Sequence, residues 1–255
     1  MRQVIAIGNM TQRYFSSIGQ FSLLIFNTFR RLPLVFKNID ILMNQMRIIG
    51  LESLWMVLFT AAFIGAETVI QAQYQFTGFA PLSYLGFVVS KALISELIPV
   101  VIAFVISSRI TTAMAAEIGN MQTTEQIDAL TTLSLDPYRY VFLPRVIAAM
   151  IMVPVLVILA MFIAFSISII IAYTSIDMSI YTYLSGLRLF FIPKDLFIGI
   201  AKTSLFGGII ALSGIHFGLR CSGGAKGIGN ATTFAVMLSA LLILCTDFIV
   251  ALLFL

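Results

Sequence analysis

The apolar residues of this chain are gathered into five long stretches, each of about 20 residues or more. A helix of about 20 apolar residues crosses a hydrocarbon core of about 30 Å, because each helical residue adds about 1.5 Å. Buried strands of soluble α/β enzymes are also apolar, but they end after ~4 to 8 residues. The pattern therefore predicts an all-α membrane protein with five transmembrane helices, at residues 51–72, 96–116, 146–173, 196–219 and 231–255.

The stretch before the first span follows a different pattern. Between residues 15 and 36 the apolar runs are short and are interrupted by Arg30, Arg31 and Pro33. A helix with apolar and basic faces is typical of a membrane interface, so we expect an interfacial helix that anchors the chain. A signal peptide is the competing interpretation, but no short apolar core with a small-residue cleavage site follows Met1. The predicted organisation is thus an N-terminal interfacial region, 1–50, and a five-span domain, 51–255.

A polar segment separates the second predicted span from the third. Within it, Thr123 and Gln126 have the spacing of a capping box, Ile127 and Leu130 share a helix face, and Asp-Pro at 136–137 supplies a stop. These signals predict a short helix, which we call the elbow, rather than an irregular loop. A helix held between two spans can present a surface to a soluble partner.

Composition and charge agree with a membrane protein and give an orientation. Charged residues make up only 10% of the chain, whereas soluble domains carry roughly 25%. Basic residues mark the cytoplasmic side, since they resist translocation. With the N-terminus inside, only four of the fifteen basic residues lie at or near the outer face: Lys91, Arg188, Lys194 and Lys202. The elbow then faces the cytoplasm, and the net charge of +4 requires no nucleic-acid partner.

The sequence carries no signature of an ATPase or a metal enzyme. It has no G-x-x-x-x-G-K-[ST] loop, so if ATP drives this protein, another polypeptide must hydrolyse it. The glycine-rich stretch 220–233 lacks the strand-to-helix context of a phosphate loop and is predicted to be a compact turn with a helix cap near Asn230 or Thr232. Two cysteines and one histidine supply neither a disulfide framework nor a metal site. We expect no cofactor in this chain.

Four ionisable residues fall within the predicted spans at a similar depth, toward the outer face: Glu67, Glu96, Lys202 and Asp247. Charges at such depths are costly and face the bundle interior or a cavity, so each is a functional candidate. An outward-open cavity lined by one cation and three carboxylates could receive the polar head of an amphipathic ligand. Alternatively, Lys202 pairs with one acid to hold the bundle together while the other carboxylates are hydrated at the interface. Both interpretations remain open.

Arg109 lies about 20 Å beyond Glu96 along a helix, so it cannot pair with that residue. We expect it to anchor the inner face or to pair with Glu117. Pro99 and Pro154 lie within predicted spans and are expected to produce local bends, because each removes a backbone hydrogen bond.

Two long blocks of the chain resemble a known protein family. The block ELIPVVIAFVISSRITTAMAAEIGNMQTTEQIDALTTLSLDPYRYVFLPRVIA resembles the signature region of the MlaE/YrbE family, the permease subunits of ABC transporters that work with MCE-domain proteins. The tail SGGAKGIGNATTFAVMLSALLILCTDFIVALLF is similar to the C-terminal segment of that family, and the likeness extends from about residue 39 to the end. The positions in register are Glu96, Pro99, Arg109, AEIG at 116–119, TEQ at 124–126, DP at 136–137 and PR at 144–145.

The resemblance implies an interfacial helix, five spans and a homodimer, with a cytoplasmic ATPase dimer on the elbow and an MCE-domain ring on the outer side. It implies phospholipid or a related lipid as cargo, with Glu96 lining the lipid pocket. Lys202 and Asp247 also occupy ionisable positions of the family, and Glu67 completes the predicted lipid-binding set. The segment expected to contact the ATPase supplies the coupling candidates Glu117, Thr124, Glu125, Gln126, Asp128 and Asp136.

The resemblance therefore implies a non-catalytic permease subunit that moves phospholipid between membranes, while a partner chain binds and hydrolyses ATP. Ser95 stands where some relatives have arginine. The expected location is the bacterial inner membrane, with a cytoplasmic N-terminus and a periplasmic C-terminus; the plastid inner envelope is the alternative. An ion-coupled secondary transporter with proton-carrying acids and a non-transporting membrane scaffold are the competing functions.

Overall fold

The computed structural model describes residues 16–17, 19–33, 38–76, 81, 84–189 and 192–254, and within these ranges it contains eight helices and no strand. The all-α prediction is confirmed. The helices are α1 (residues 19–30), α2 (Ile39–Phe76), α3 (Leu85–Thr123), α4 (Gln126–Thr132), α5 (Tyr138–Ile176), α6 (Ile180–Leu189), α7 (Pro193–Leu219) and α8 (Gly224–Phe254).

Five of these helices are long and apolar enough to cross a membrane: α2, α3, α5, α7 and α8. The described part of each predicted span falls within one of them, and residue 255 lies outside the described residues. The helices are longer than the apolar stretches. For example, α2 begins at Ile39 and includes Asp40 in its first turn. Hydropathy identifies only the apolar part of a helix, which lies in the hydrocarbon core, whereas the helix itself continues into the membrane interface.

The bundle is organised around α3 and α7, which pack against each other and against α8, while α2 packs mainly on α5. Small residues allow the close approach of α7 to α3. A Cβ atom on Gly214 would lie 2.9 Å from the Cβ of Met114, and one on Gly218 would lie 2.7 Å from the Cβ of Ile118. Close backbone contact of this kind is the usual way in which membrane helices gain packing energy.

The described part of the predicted interfacial stretch contains α1, which packs one face on the bundle. Leu24 and Thr28 are buried there, whereas Leu23 and Phe26 are 59% and 62% exposed. An apolar face left open beside a packed one suits a helix at the boundary between protein, headgroups and hydrocarbon. Residues 15, 18 and 34–36 of the predicted stretch lie outside the described residues.

The elbow helix is confirmed as α4, but its start differs from the prediction. Thr123 is the last residue of α3, and its hydroxyl donates to the Asn120 carbonyl at 3.1 Å, so the capping-box assignment is wrong. A left-handed residue, Glu125 (φ 59°), separates the two helices instead. Ile127 is buried and Leu130 packs against the core, as their shared face predicted.

Two further features differ from the sequence pattern. The helix α6 between the third and fourth spans was not predicted; it is held by buried Tyr183, whose hydroxyl donates to the Ser168 hydroxyl at 2.9 Å. Burial raises the pKa of Tyr183 to about 12, so this phenol keeps its proton at neutral pH. The predicted cap near Asn230 or Thr232 is wrong, because the turn is made at residues 223–224, where both glycines have positive φ, and α8 begins at once.

Candidate functional site

Two regions carry the predicted functional residues, and α3 connects them. Glu96 lies in the N-terminal part of α3 and Glu117 near its C-terminal end, about 32 Å apart at 1.5 Å per residue. This separation is close to the thickness of a hydrocarbon core. One region comprises a polar cluster and a groove at the Glu96 end, and the other is the elbow.

The polar cluster joins three spanning helices through Lys202 of α7. Its Nζ donates to Asp247 Oδ1 on α8 at 2.7 Å, to Glu96 Oε2 on α3 at 3.1 Å and to the Ser95 carbonyl at 2.6 Å. The Lys202 side chain is 2% exposed, whereas that of Glu96 is 40% exposed. A buried ammonium group with three acceptors is fully satisfied, so Lys202 holds α3, α7 and α8 together.

The local structure of α3 explains why Ser95 offers its carbonyl to a side chain. In an α-helix this oxygen would accept the N–H of the fourth residue on, but that residue is Pro99, which has none. Residues Leu93–Leu97 form a π-helical turn immediately before it. Lys202 supplies the missing donor. Pro99 thus lies just after an irregular turn, and Pro154 lies inside α5. The bends expected at the two prolines stay predictions.

A close backbone approach brings Lys202 to this turn. Gly199 lies one helical turn before Lys202 on α7, and a Cβ atom there would be 2.7 Å from the Ile94 carbonyl oxygen. Only glycine lets α7 lie directly against the π-helical turn. The turn, the glycine and the lysine thus form one unit, although the residues are far apart in sequence.

The predicted cavity with four charges is only partly assembled. Lys202, Glu96 and Asp247 meet, as the similar depth suggested, but the lysine is enclosed rather than presented to a ligand. Glu67 takes no part in the ion pairs among the described residues. The cluster therefore has the geometry expected if Lys202 pairs with acids to hold the helices together. The Glu96 carboxylate is its most exposed member.

Glu67 instead lines an open groove between α2 and the first half of α3. The groove has a volume of about 640 Å³, large enough for part of an amphipathic molecule. Its walls are mainly apolar, and its polar side chains come from α2. The lining residues are Phe63, Ile64, Glu67, Thr68, Gln71, Ala72, Gln75, Val88, Val89, Ala92, Leu97 and Val101.

The candidate ATPase-coupling residues at the elbow fall into two groups. The first group is exposed around the start of α4: Thr124, Glu125, Gln126 and Asp128. Close to it, Leu133 is 71% exposed. A large apolar side chain among exposed polar ones at the end of a bundle is the composition of a protein contact surface. We call residues 124–133 the elbow surface.

The second group, Glu117 and Asp136, is held by arginines within the chain. Arg145 is buried and donates to Glu117 Oε1 at 2.5 Å and to the Val141 carbonyl at 2.7 Å. Asp136 is ion-paired with Arg31 and accepts the backbone N–H of Tyr138 at 3.1 Å. These two acids therefore brace the elbow from both sides.

Arg109 does not pair with Glu117, contrary to one of the two expectations. It is ion-paired with Glu52 of α2 and donates to the Ser53 hydroxyl at 2.7 Å. Glu52 and Arg109 are 57 residues apart in sequence, and they meet because α2 and α3 pack against each other in the bundle.

Two arginines whose role the sequence pattern did not indicate fasten α1 to the elbow end of the bundle. Arg31 pairs with Asp136 and lies 4.7 Å from the Tyr138 ring centroid. Arg220, at the end of α7, donates to the Gln20 side chain at 2.7 Å and 3.0 Å. The signal in the sequence is the basic pair at 30–31, which predicts an interruption of the apolar run and a position at the inner face but no partner.

Replacing Arg31 with alanine is expected to loosen α1 without unfolding the spans, because a half-exposed ion pair contributes about 1 kcal/mol or less and the ring contact a similar amount. Hydrogen exchange of residues 19–30 should rise severalfold, while exchange in α3 and α7 stays unchanged. Arg30→Ala is the matched control, since Arg30 is exposed. Equal exchange in the wild type and Arg31→Ala would show that the Arg31 contacts do not hold α1.

No group of three or more His, Cys, Asp or Glu side chains suited to a metal ion occurs in the described part of the chain.

Comparison with known proteins gives consistent matches over nearly the whole chain. The sequence model of a family described as Permease MlaE matches residues 42–253. A probable ABC transporter permease protein of Rickettsia felis is 35% identical over 98% of this chain and 96% of its own length. One from Synechocystis is 39% identical over 81% of this chain and 78% of its own, and one from Pyropia yezoensis is 33% identical over 97% and 92%.

Proposed function

This chain belongs to the MlaE permease family and is a permease subunit of an ABC transporter, and from that premise we propose that its cargo is phospholipid or a related lipid moved between membranes. The observation that supports this cargo is the groove between α2 and α3. Its apolar walls suit acyl chains, while Glu67, Gln71 and Gln75 provide a polar side for a headgroup. A hydrophilic substrate would find few partners there.

The proposed assembly is supported by an absent ATP-binding motif and by the exposed elbow surface. The sequence has no phosphate-binding loop of the G-x-x-x-x-G-K-[ST] type, so ATP is bound and hydrolysed in a separate ATPase subunit. The elbow surface, with Leu133 exposed among polar side chains, is where that subunit docks. A second copy of this chain and an MCE-domain protein on the outer side complete the complex that family resemblance implies.

The proposed mechanism uses α3 as the element common to both ends. Force from the ATPase acts on the elbow, which Arg145 and Arg31 brace through Glu117 and Asp136. The same helix forms one wall of the groove and carries Glu96 of the polar cluster. Two arrangements of α3 against α2 would give the groove two affinities for lipid, which is what transport requires.

The chain is a multi-span membrane protein, and we place it in the bacterial inner membrane with its N-terminus inside. The excess of basic residues at the elbow end supports this orientation. The relative named ycf63 in Pyropia yezoensis is consistent with a plastid envelope as the alternative.

The direct test is lipid transfer by the complex reconstituted in liposomes, using Glu96→Gln. Asp247 and the Ser95 carbonyl still satisfy Lys202 in this variant, so we expect normal assembly. Transfer should fall about tenfold or more, because the exposed carboxylate of the cluster is lost. Asp40→Asn, which removes an exposed carboxylate from the first turn of α2, is the matched control and should retain most transfer.

Wild-type transfer must depend on ATP. Transfer that needs no ATP but collapses a proton gradient would favour an ion-coupled secondary transporter. Unchanged ATP-dependent transfer by Glu96→Gln would remove this carboxylate from the mechanism, and absence of any lipid transfer by the intact complex would overturn the proposed cargo.

A further inference from the structure

Among the lining residues that the structure describes, the polar side of the groove carries negative charge and hydrogen-bonding amides, and no cation. Glu67, Gln71 and Gln75 are exposed and follow one another at intervals of four residues along α2. They therefore form a row with about 6 Å between neighbours. Thr68, the remaining polar residue of the lining, donates its hydroxyl to the Ile64 carbonyl at 2.6 Å. The free polar groups of the described lining are thus one carboxylate and two side-chain amides.

Two lysines on α3 and α7, Lys91 and Lys202, are already engaged with other described residues. Lys202 is 2% exposed, and its three N–H groups are directed at Asp247, Glu96 and the Ser95 carbonyl. Lys91 is on α3 but lines a different pocket and is ion-paired with Asp195. Neither lysine is available to a phosphate in the groove. The polar cluster itself adds negative charge, since it contains one cation and two carboxylates.

We propose that the groove selects phospholipids whose headgroup carries an amine, with the ammonium group bound at Glu67 and the phosphate within reach of the Gln71 amide. Phosphatidylethanolamine has this chemistry. The acyl chains would lie along the apolar wall that includes Val88, Leu97 and Val101. This inference rests on the proposed lipid cargo and adds the class of headgroup.

A preference for anionic headgroups without an amine does not fit these charges. A lipid such as phosphatidylglycerol brings a phosphate and no compensating cation, so its negative charge would lie near Glu67 in surroundings of reduced dielectric. An ammonium group placed there makes a charge-assisted hydrogen bond instead. The row spacing also fits an ethanolamine headgroup, in which a short linker separates the cation from the phosphate.

The experiment uses the full complex in nanodiscs of equal phosphatidylethanolamine and phosphatidylglycerol with identical acyl chains. After mild detergent extraction, native mass spectrometry measures the ratio of the two retained lipids. We expect the wild type to be enriched about fivefold in phosphatidylethanolamine, which corresponds to one partly desolvated ion pair. Glu67→Gln should bring the ratio near one while lipid remains bound, and Glu67→Lys should invert it.

Tyr74→Phe is the matched control, because Tyr74 is 81% exposed on α2 and is not part of the groove lining. It should keep the wild-type ratio. Equal retention of both lipids by the wild type, or enrichment that survives Glu67→Lys, would overturn the headgroup assignment while leaving the lipid cargo in place. Retention of neither lipid would instead count against the proposed function itself.

Discussion

Replacing Lys202 with methionine is expected to lower the melting temperature of the purified protein by on the order of 10 °C, the largest effect of any single substitution considered. The change leaves Asp247 and Glu96 without a cation and the Ser95 carbonyl without a donor. Breaking a buried ion pair costs about 3–5 kcal/mol, and each kcal/mol corresponds to about 2–4 °C for a chain of this size. Thermal unfolding in nanodiscs measures the shift.

Lys91→Met is the matched control, because it removes the same charge from another lysine–aspartate pair. The Lys91 side chain is 40% exposed and that of Asp195 is 12% exposed, so water reaches the ammonium group but hardly the carboxylate. Loss of this single pair should cost about 1 kcal/mol, less than loss of an ammonium group that is 2% exposed and has three acceptors. A small shift for Lys91→Met and a large one for Lys202→Met would assign the stability to the polar cluster. Equal shifts would contradict the role of Lys202 in holding three helices together.

Replacing Leu133 with aspartate is expected to weaken association with the ATPase subunit by about 30-fold or more. Leu133 is 71% exposed in the elbow surface, and loss of a central apolar contact in an interface costs about 2 kcal/mol or more. The isolated chain should melt at the wild-type temperature, since the side chain is not part of the core. Co-purification and titration of the two subunits provide the measurement.

Leu32→Asp introduces the same charge at an exposed leucine just after α1, outside the elbow surface, and serves as the control. Full association of this variant, together with loss for Leu133→Asp, would locate the ATPase contact. If Leu133→Asp binds normally, the ATPase docks elsewhere on the chain.

The sequence was sufficient for features that depend on local composition. The apolar lengths located all five spans, and the spacing of Ile127 and Leu130 identified the elbow helix, because both signals lie within a few helical turns. The caps were less predictable. Thr123 matched a capping pattern, yet it is the last residue of α3, and the left-handed Glu125 precedes α4.

Pairing between distant residues could not be predicted in the same way. Similar membrane depth correctly grouped Lys202 with Glu96 and Asp247, but depth does not specify which way a helix faces, so Glu67 was grouped with them as well. Arg31 and Asp136 are 105 residues apart, and nothing in the local pattern of either one indicates the other. These contacts depend on the rotation of each helix in the bundle.

The π-helical turn at Leu93–Leu97 shifts the register of α3 by one residue. Groove-lining positions before the turn include Val88 and Ala92, so a regular four-residue step would continue to Glu96; the lining instead continues at Leu97 and Val101. An extra residue rotates everything beyond it by about 100° around the helix axis. With the same residues in a regular α-helical turn, Glu96 would lie in the apolar wall of the groove and Ser95 would take its place beside Lys202. The extra residue therefore separates the apolar face of α3 from its charged face.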